Sequence, residues 1–207
     1  MRAAQIMKLG ILADIHEHVE NLRCALETLR DHQVDRIFVL GDVFETGKHI
    51  AETVELLRQV DAVGVWGNHD LGLCHEPDAA TVGRYEESTV EYFSRLTPSF
   101  EFDDILMSHG LPNWDAADPV VYYLADSPWE TGSLSPVFEK FRHQIFLTGH
   151  YHRWFFATDA ETMEWDGTCP VTLDPMKRYF VVINAVLYGW CAILDTDSHE
   201  LSPFRVG

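Results

Sequence analysis

Five short apolar runs in this chain each stop at a residue whose side chain offers a lone pair. Asp14 and His16 follow residues 9–13, and Asp42 follows 37–41. Asn68, His69 and Asp70 follow 62–67, His109 follows 105–108, and His150 and His152 follow 145–149. Apolar runs of this length, closed by Gly or a polar residue, suit strands buried on both faces. Open α/β sheets place their sites at the carboxyl ends of such strands. The pattern therefore constrains both the fold and the location of the chemistry.

Helical spacing separates the first runs. Leu22, Leu26 and Leu29, with Ala25 beside them, predict a helix from Val19 that ends near 31–34, and Ile50, Val54 and Leu57 predict a second. With strands expected at 6–13, 36–40 and 60–66, the order β-α-β-α-β predicts a parallel sheet with helices on its faces. A third helix is expected over 85–96, stopped by Pro98, and a single strand over 102–108. Residues 111–135 read as a long loop with Pro112, Pro119, Pro128 and Gly132 and the aromatics Trp114, Tyr122, Tyr123 and Trp129. Such a loop in a compact domain is usually a lid or a binding loop. The competing reading is that its rings pack the loop down or form a subunit contact. A short helix over 137–141 and strands over 144–148, 154–158, 179–184, 190–194 and 201–206 complete the chain, and the last four suggest a second sheet packed on the first.

At 207 residues the simplest expectation is one domain, 1–207. The net charge of −18, from 15 basic against 33 acidic residues, disfavours nucleic acid and anionic membranes as partners. Cys24, Cys74, Cys169 and Cys191 form no close pair, which points to free thiols in a reducing compartment. No run approaches the ~20 apolar residues of a membrane span, and the opening MRAAQIMKLGILADIH is too short in apolar residues for a leader. A cytoplasmic protein is expected, and self-association into a homo-oligomer stays open.

Collected, the strand ends supply Asp14, His16, Asp42, Asn68, His109, His150 and His152, with His69 and Asp70 beside them. Seven donors exceed one tetrahedral ion and suit two ions sharing a carboxylate. Nitrogen and oxygen donors without thiolate fit Mn, Fe, Zn, Ni or Co rather than Ca or Mg. Two divalent ions bring about +4, two carboxylates about −2 and a bridging hydroxide about −1, leaving roughly +1 to attract a phosphate ester.

The motifs Asp14-x-His16, Gly41–Asp42, Gly67–Asn68–His69–Asp70, His109–Gly110 and Gly149–His150–Tyr151–His152 resemble the five blocks of the calcineurin-like metallophosphoesterase superfamily, in order and spacing from about residue 8 to 152. The size resembles its small bacterial and archaeal phosphodiesterase branch. The resemblance implies a four-layer α/β/β/α sandwich, two packed mixed sheets flanked by helices, with a dinuclear centre. Carried over, Asp14, His16 and His152 would bind one ion, Asn68, His109 and His150 the other, and Asp42 would bridge. His69 would act as general acid, oriented by Asp70.

Three departures shape the expectation. No arginine follows the Gly-Asp block, where Val43–Phe44–Glu45–Thr46–Gly47 stands, which argues against phosphoprotein as substrate. Glu17 follows His16, and an outward-facing side chain is expected because a carboxylate beside a phosphate pocket would repel substrate. Asn184–Ala185–Val186–Leu187 replaces the family's Asn-Pro-Gly-Ser. The reading is a phosphoesterase for a phosphodiester or small phosphate ester, with a metal-bridging hydroxide as nucleophile and manganese as the favoured metal. A nuclease of the same fold, a non-catalytic scaffold and a phosphate sensor are the alternatives. In the aromatic loop, Trp114 and Tyr122 are expected to stack on a flat part of the substrate.

Overall fold

The computed structural model describes residues 6–206; the first five residues of the stretch read against a leader lie outside them. The parallel start is as expected: β1 (Lys8–Leu12), β2 (Arg36–Leu40) and β3 (Val63–Val65), linked by α1 (Val19–Asp31) and α2 (Ile50–Gln59). Helix α1 buries Leu22, Ala25, Leu26 and Leu29, the stripe that its spacing predicts, and the His18 side chain caps it by accepting from the Asn21 N–H. Two short turns, α3 (Leu71–Cys74) and α4 (Ala79–Val82), then lead to α5 (Glu87–Ser94).

The second sheet draws on β4 (Ser99–Phe102), β5 (Ile105–Ser108), β6 (Ile145–Thr148), β7 (Phe155–Thr158) and β9 (Tyr179–Val182). Between β5 and β6 lie α6 (Val121–Leu124) and α7 (Ser135–Lys140). The first sheet is completed by β8 (Val171–Thr172), β10 (Trp190–Asp195) and β11 (Glu200–Arg205). The strand orders are β3-β2-β1-β10-β11-β8 and β4-β5-β6-β9-β7. Both sheets mix parallel and antiparallel pairs.

Side-chain alternation assigns the layers. Leu9 and Ile11 of β1 and Phe38 and Leu40 of β2 point between the sheets, where they meet Met107, Leu147 and Val181. Leu12 and Val39 point the other way, into the layer formed by α1, α2 and α5. On the far side, Leu106, Phe146 and Phe180 meet Val137 and Phe138 of α7. The result is the four-layer α/β/β/α arrangement. Among the described residues no helix is long and apolar enough to cross a membrane.

Two expectations are corrected. The strand over 102–108 is a hairpin: Asp103, with φ of 48°, turns the chain so that β4 and β5 pair antiparallel. The carboxyl-terminal strands do not form a sheet of their own. β7 and β9 join β6, whereas β10 lies antiparallel against β1 in the middle of the first sheet. An apolar run records that a strand is buried but not which sheet buries it.

Where β2 and β3 pair, the backbones pass closely enough to demand glycine. A Cβ on Gly64 would lie 2.0 Å from the Val39 carbonyl oxygen, whereas one on Gly72 would meet nothing within 4 Å. Gly64→Ala should therefore lower the unfolding free energy by about 2–3 kcal/mol, and Gly72→Ala should change it by less than about 0.5 kcal/mol. Urea unfolding of the two variants checks this, and equal effects would contradict the assigned β2–β3 register.

Candidate metal centre

The carboxyl ends of β1, β2, β3, β5 and β6 open onto one cleft. The backbone there is left-handed at Asp14 (φ 51°), His16 (46°), Asp42 (53°), His150 (70°) and His152 (51°). Asp and His tolerate this region better than branched residues do, and such geometry clusters at functional sites. It turns each side chain sharply off its strand axis and into the cleft. The loops also touch at their backbones: a Cβ on Gly67 would lie 2.6 Å from Asp42 N, and one on Gly41 would lie 2.7 Å from Gly67 N.

Two groups of donors share Asp42, namely Asp14, His16, Asp42 and His152, and Asp42, His109 and His150; a third group, His16, Glu45 and His69, adjoins the first. In the first, His16 Nε2 lies 3.1 Å from His152 Nε2, and His152 Nε2 lies 3.4 Å from Asp14 Oδ1. In the second, His109 Nε2 lies 3.2 Å from Asp42 Oδ2 and 3.2 Å from Asn68 Oδ1. Ligands held about 2.1 Å from one ion stand roughly 3.0–3.4 Å apart, so these spacings suit a shared cation. Asp42 Oδ2 is also 3.6 Å from His16 Nε2, which puts one carboxylate between the groups.

The partners of the imidazoles fix their free nitrogens. Leu40 carbonyl oxygen can only accept, so His109 donates through Nδ1–H at 2.7 Å and keeps Nε2 for the cleft. His150 donates through Nε2–H to the Tyr122 carbonyl at 3.0 Å, which leaves Nδ1 as its ligand atom. His16 donates through Nδ1–H to Glu45 at 2.7 Å and turns Nε2 inward. This is how metal-binding histidines are usually oriented. Burial acts to raise the Asp42 pKa, but the adjacent His109 charge and hydrogen bond, with the His69 backbone N–H, hold the carboxyl far below its usual range. Burial alone would depress His109, yet Asp42 outweighs it and raises the imidazole to about 9. His150 is lowered to about 4 by burial and by His109, which favours its neutral, lone-pair form.

All seven expected ligands thus come together, as does His69, but three neighbouring expectations are corrected. Asp70 does not reach His69. It is fully buried and its carboxylate accepts from Phe44 N–H at 2.9 Å and Gly67 N–H at 2.8 Å. It joins the loops after β2 and β3, and burial together with the Asp42 charge raises its pKa to about 7. The group beside His69 is Glu45, whose Oε2 lies 3.2 Å from His69 Nδ1. Glu17 does not turn outward: its carboxylate is buried and accepts from the N–H groups of Glu45, Thr46, Gly47 and His49. Those amides neutralise it and hold the loop that presents Glu45. Trp114 and Tyr122 form the inner wall, with the Tyr122 ring 5.2 Å from that of His150 and 5.7 Å from that of Trp114. The exposed ring of the loop at the cleft is Tyr123, with its hydroxyl 3.3 Å from Asn68 Nδ2. Glu45 was visible three residues beyond Asp42, but nothing in spacing tied it to His69, 24 residues on.

The fold and the paired donor groups define a two-sheet α/β scaffold whose strand ends could hold metal ions. The calcineurin-like phosphoesterase superfamily domain model matches residues 7–172, and the chain belongs to that superfamily. A metallophosphoesterase from Sphaerobacter thermophilus has a similar fold, with a TM-score of 0.78 at 20% identity over 98% of this chain and 89% of that one. Two proteins of Methanocaldococcus jannaschii match shorter stretches. An uncharacterized protein is 35% identical over 65 residues, 31% of this chain and 27% of its own length. A phosphodiesterase is 31% identical over 68 residues, 33% of this chain and 39% of its own length. The matched stretches thus cover less than half of either relative.

The roles of Asp70 and Glu45 can be separated by stability. Asp70→Asn places an N–H donor against an amide N–H and should cost about 1–3 kcal/mol of unfolding free energy. Glu45→Gln, at a partly exposed side chain, should cost less than about 0.5 kcal/mol. Chemical denaturation of both variants checks the assignment, and a neutral Asp70→Asn would remove its role as a loop tie.

Proposed function

We propose that this chain is a dinuclear-metal phosphoesterase acting on a phosphodiester or small phosphate ester. The observation that carries the reading is the position of Asp42 between the two donor groups, its Oδ2 3.6 Å from His16 Nε2 and 3.2 Å from His109 Nε2. Asp14, His16 and His152 would hold one ion, Asn68, His109 and His150 the other, and Asp42 both. Manganese suits this oxygen and nitrogen set, as do iron, zinc, nickel and cobalt. When bound, such ions supply positive charge against the phosphoryl oxygens and lower the pKa of water.

The chain's own residues complete the chemistry. His69 is about one-third exposed at the cleft mouth and is assigned the role of general acid to the departing ester oxygen. Glu45 Oε2, 3.2 Å from His69 Nδ1, is assigned the role of orienting the ring electrostatically, leaving Nε2 to carry and release the proton. Glu45 also accepts from His16, and one carboxylate thereby positions the acid relative to the donor group. The −18 charge supports a small ester over nucleic acid as substrate. The cysteines, none of them disulfide-bonded, support the cytoplasm as the compartment.

Asp42→Asn should lower the content of both ions, and His16→Ala chiefly that of one. Elemental analysis after manganese loading reads this, and two full equivalents in Asp42→Asn would remove the bridging assignment. His69→Gln should keep its metal yet lose roughly 10²–10⁴ in kcat on esters with poor leaving groups. The loss should be much smaller with a nitrophenolate leaving group, which needs little protonation. A variant that loses metal instead would make His69 a ligand.

A further inference from the structure

Two exposed tyrosines stand at opposite ends of the cleft. Tyr123 is 71% exposed and its hydroxyl meets Asn68, whose Oδ1 faces His109 in one donor group. Tyr188 is 52% exposed and its ring lies 5.5 Å from the ring of His152 in the other group. Each donor group therefore carries one exposed aromatic side chain at its outer edge. A phosphodiester bound at the centre carries two ester arms, and one exposed ring is available near each donor group. Leu124 and Val120, 78% and 52% exposed, extend the apolar shelf around Tyr123. At the other end Tyr188 follows Asn184–Ala185–Val186–Leu187, on a turn fastened to β1 by the Val186 N–H to Ala13 and the Leu187 N–H to Asp14. Both rings thus stand on backbone tied to the centre, since the Tyr122 carbonyl beside Tyr123 accepts from His150.

The charges of the cleft point the same way. Among the described residues no lysine or arginine pairs with a side chain of either donor group, and Glu45 is a partly exposed carboxylate beside His69. A monoester dianion would bring one more negative charge than a diester up to Glu45. A diester carries a single charge and a second arm to bind. Aromatic rings at protein surfaces hold flat unsaturated groups by stacking without reading their sequence or substitution.

We propose that Tyr123 and Tyr188 are specificity-determining residues, one stacking platform for each ester arm, and that they select phosphodiesters bearing a flat aromatic or nucleobase group on both arms. The proposal rests on the phosphoesterase reading above and adds the substrate class. Tyr122, one of the rings that the sequence favours for this task, is buried against His109 and His150 and takes no part in it.

The test compares the manganese-loaded protein with its Tyr123→Ala, Tyr188→Ala and Tyr123→Phe variants on bis(4-nitrophenyl) phosphate and methyl 4-nitrophenyl phosphate. Both esters release the same group, so chemistry is held constant while one flat arm is removed. Each alanine variant should raise KM for the bis-aryl ester about tenfold, with kcat within about twofold. KM for the methyl ester should move less in at least one of the two variants. Tyr123→Phe keeps the ring and should recover most of the KM for the bis-aryl ester that Tyr123→Ala loses. A loss in Tyr123→Phe equal to that in Tyr123→Ala, or equal KM changes on both esters in both alanine variants, would overturn the proposal. Calorimetric binding of bis(4-nitrophenyl) phosphate against dimethyl phosphate separates this failure from that of the phosphoesterase reading. Without turnover, a tight bis-aryl complex weakened about tenfold by either alanine variant still supports the platforms. Equal binding of the two esters, or no weakening, refutes them.

Discussion

The centre depends on the approach of three loops around the Asp42 carboxylate. Gly67 comes so close that even a methyl group would lie 2.1 Å from Asp42 Oδ1, and the His69 N–H donates to that same oxygen at 3.0 Å. The other oxygen faces both His16 and His109. A buried carboxylate is costly unless it is paired and hydrogen-bonded. Here the fold supplies imidazoles on two sides and an amide on a third, so the charge sits where it can serve two donor groups. Each of those groups draws on several strand ends, and neither could act without the two packed sheets that bring the ends together.

Around that carboxylate the structure spends conformational strain in an ordered way. Five donor residues have left-handed φ values, each unfavourable for a residue with a Cβ. The surrounding contacts determine them: Asp14 accepts from His150 N–H, and the His16 N–H donates to the Asp42 carbonyl. Glu17 and Asp70 extend the same logic outward. Both are buried acids that accept backbone N–H groups and fasten one loop to another. Through Glu17 the loop after β2 is fixed, and through that loop Glu45 is set against His69. The chain's charge near the site is therefore used first for architecture and only then for chemistry.

Which rings face substrate is decided by the same packing. The loop over 111–135 turns into α6 beside the centre, and a helical turn sends consecutive side chains in different directions. Tyr122 goes down against His109 and His150, and Tyr123 goes out past Asn68. One residue of phase separates a wall from a rim.

The sequence by itself determined the parts that local chemistry encodes. Apolar runs closed by Asp, Asn or His marked the strand ends, helical spacing in α1 and α2 marked the crossovers, and these together defined the parallel half of the first sheet and the donor set. It could not assign β10 to the first sheet and β9 to the second, because burial leaves the same apolar signature wherever it occurs. It could not choose between Asp70 and Glu45 as the partner of His69. Adjacency favoured Asp70, but the turn after Gly67 buries that side chain toward Phe44, and only the folded loop after β2 brings Glu45 across. Nor could it tell Tyr122 from Tyr123, since the phase of α6 is set by its contact with His150. Residue type and strand order were written locally; partners far apart in the chain were decided by the meeting of loops in space.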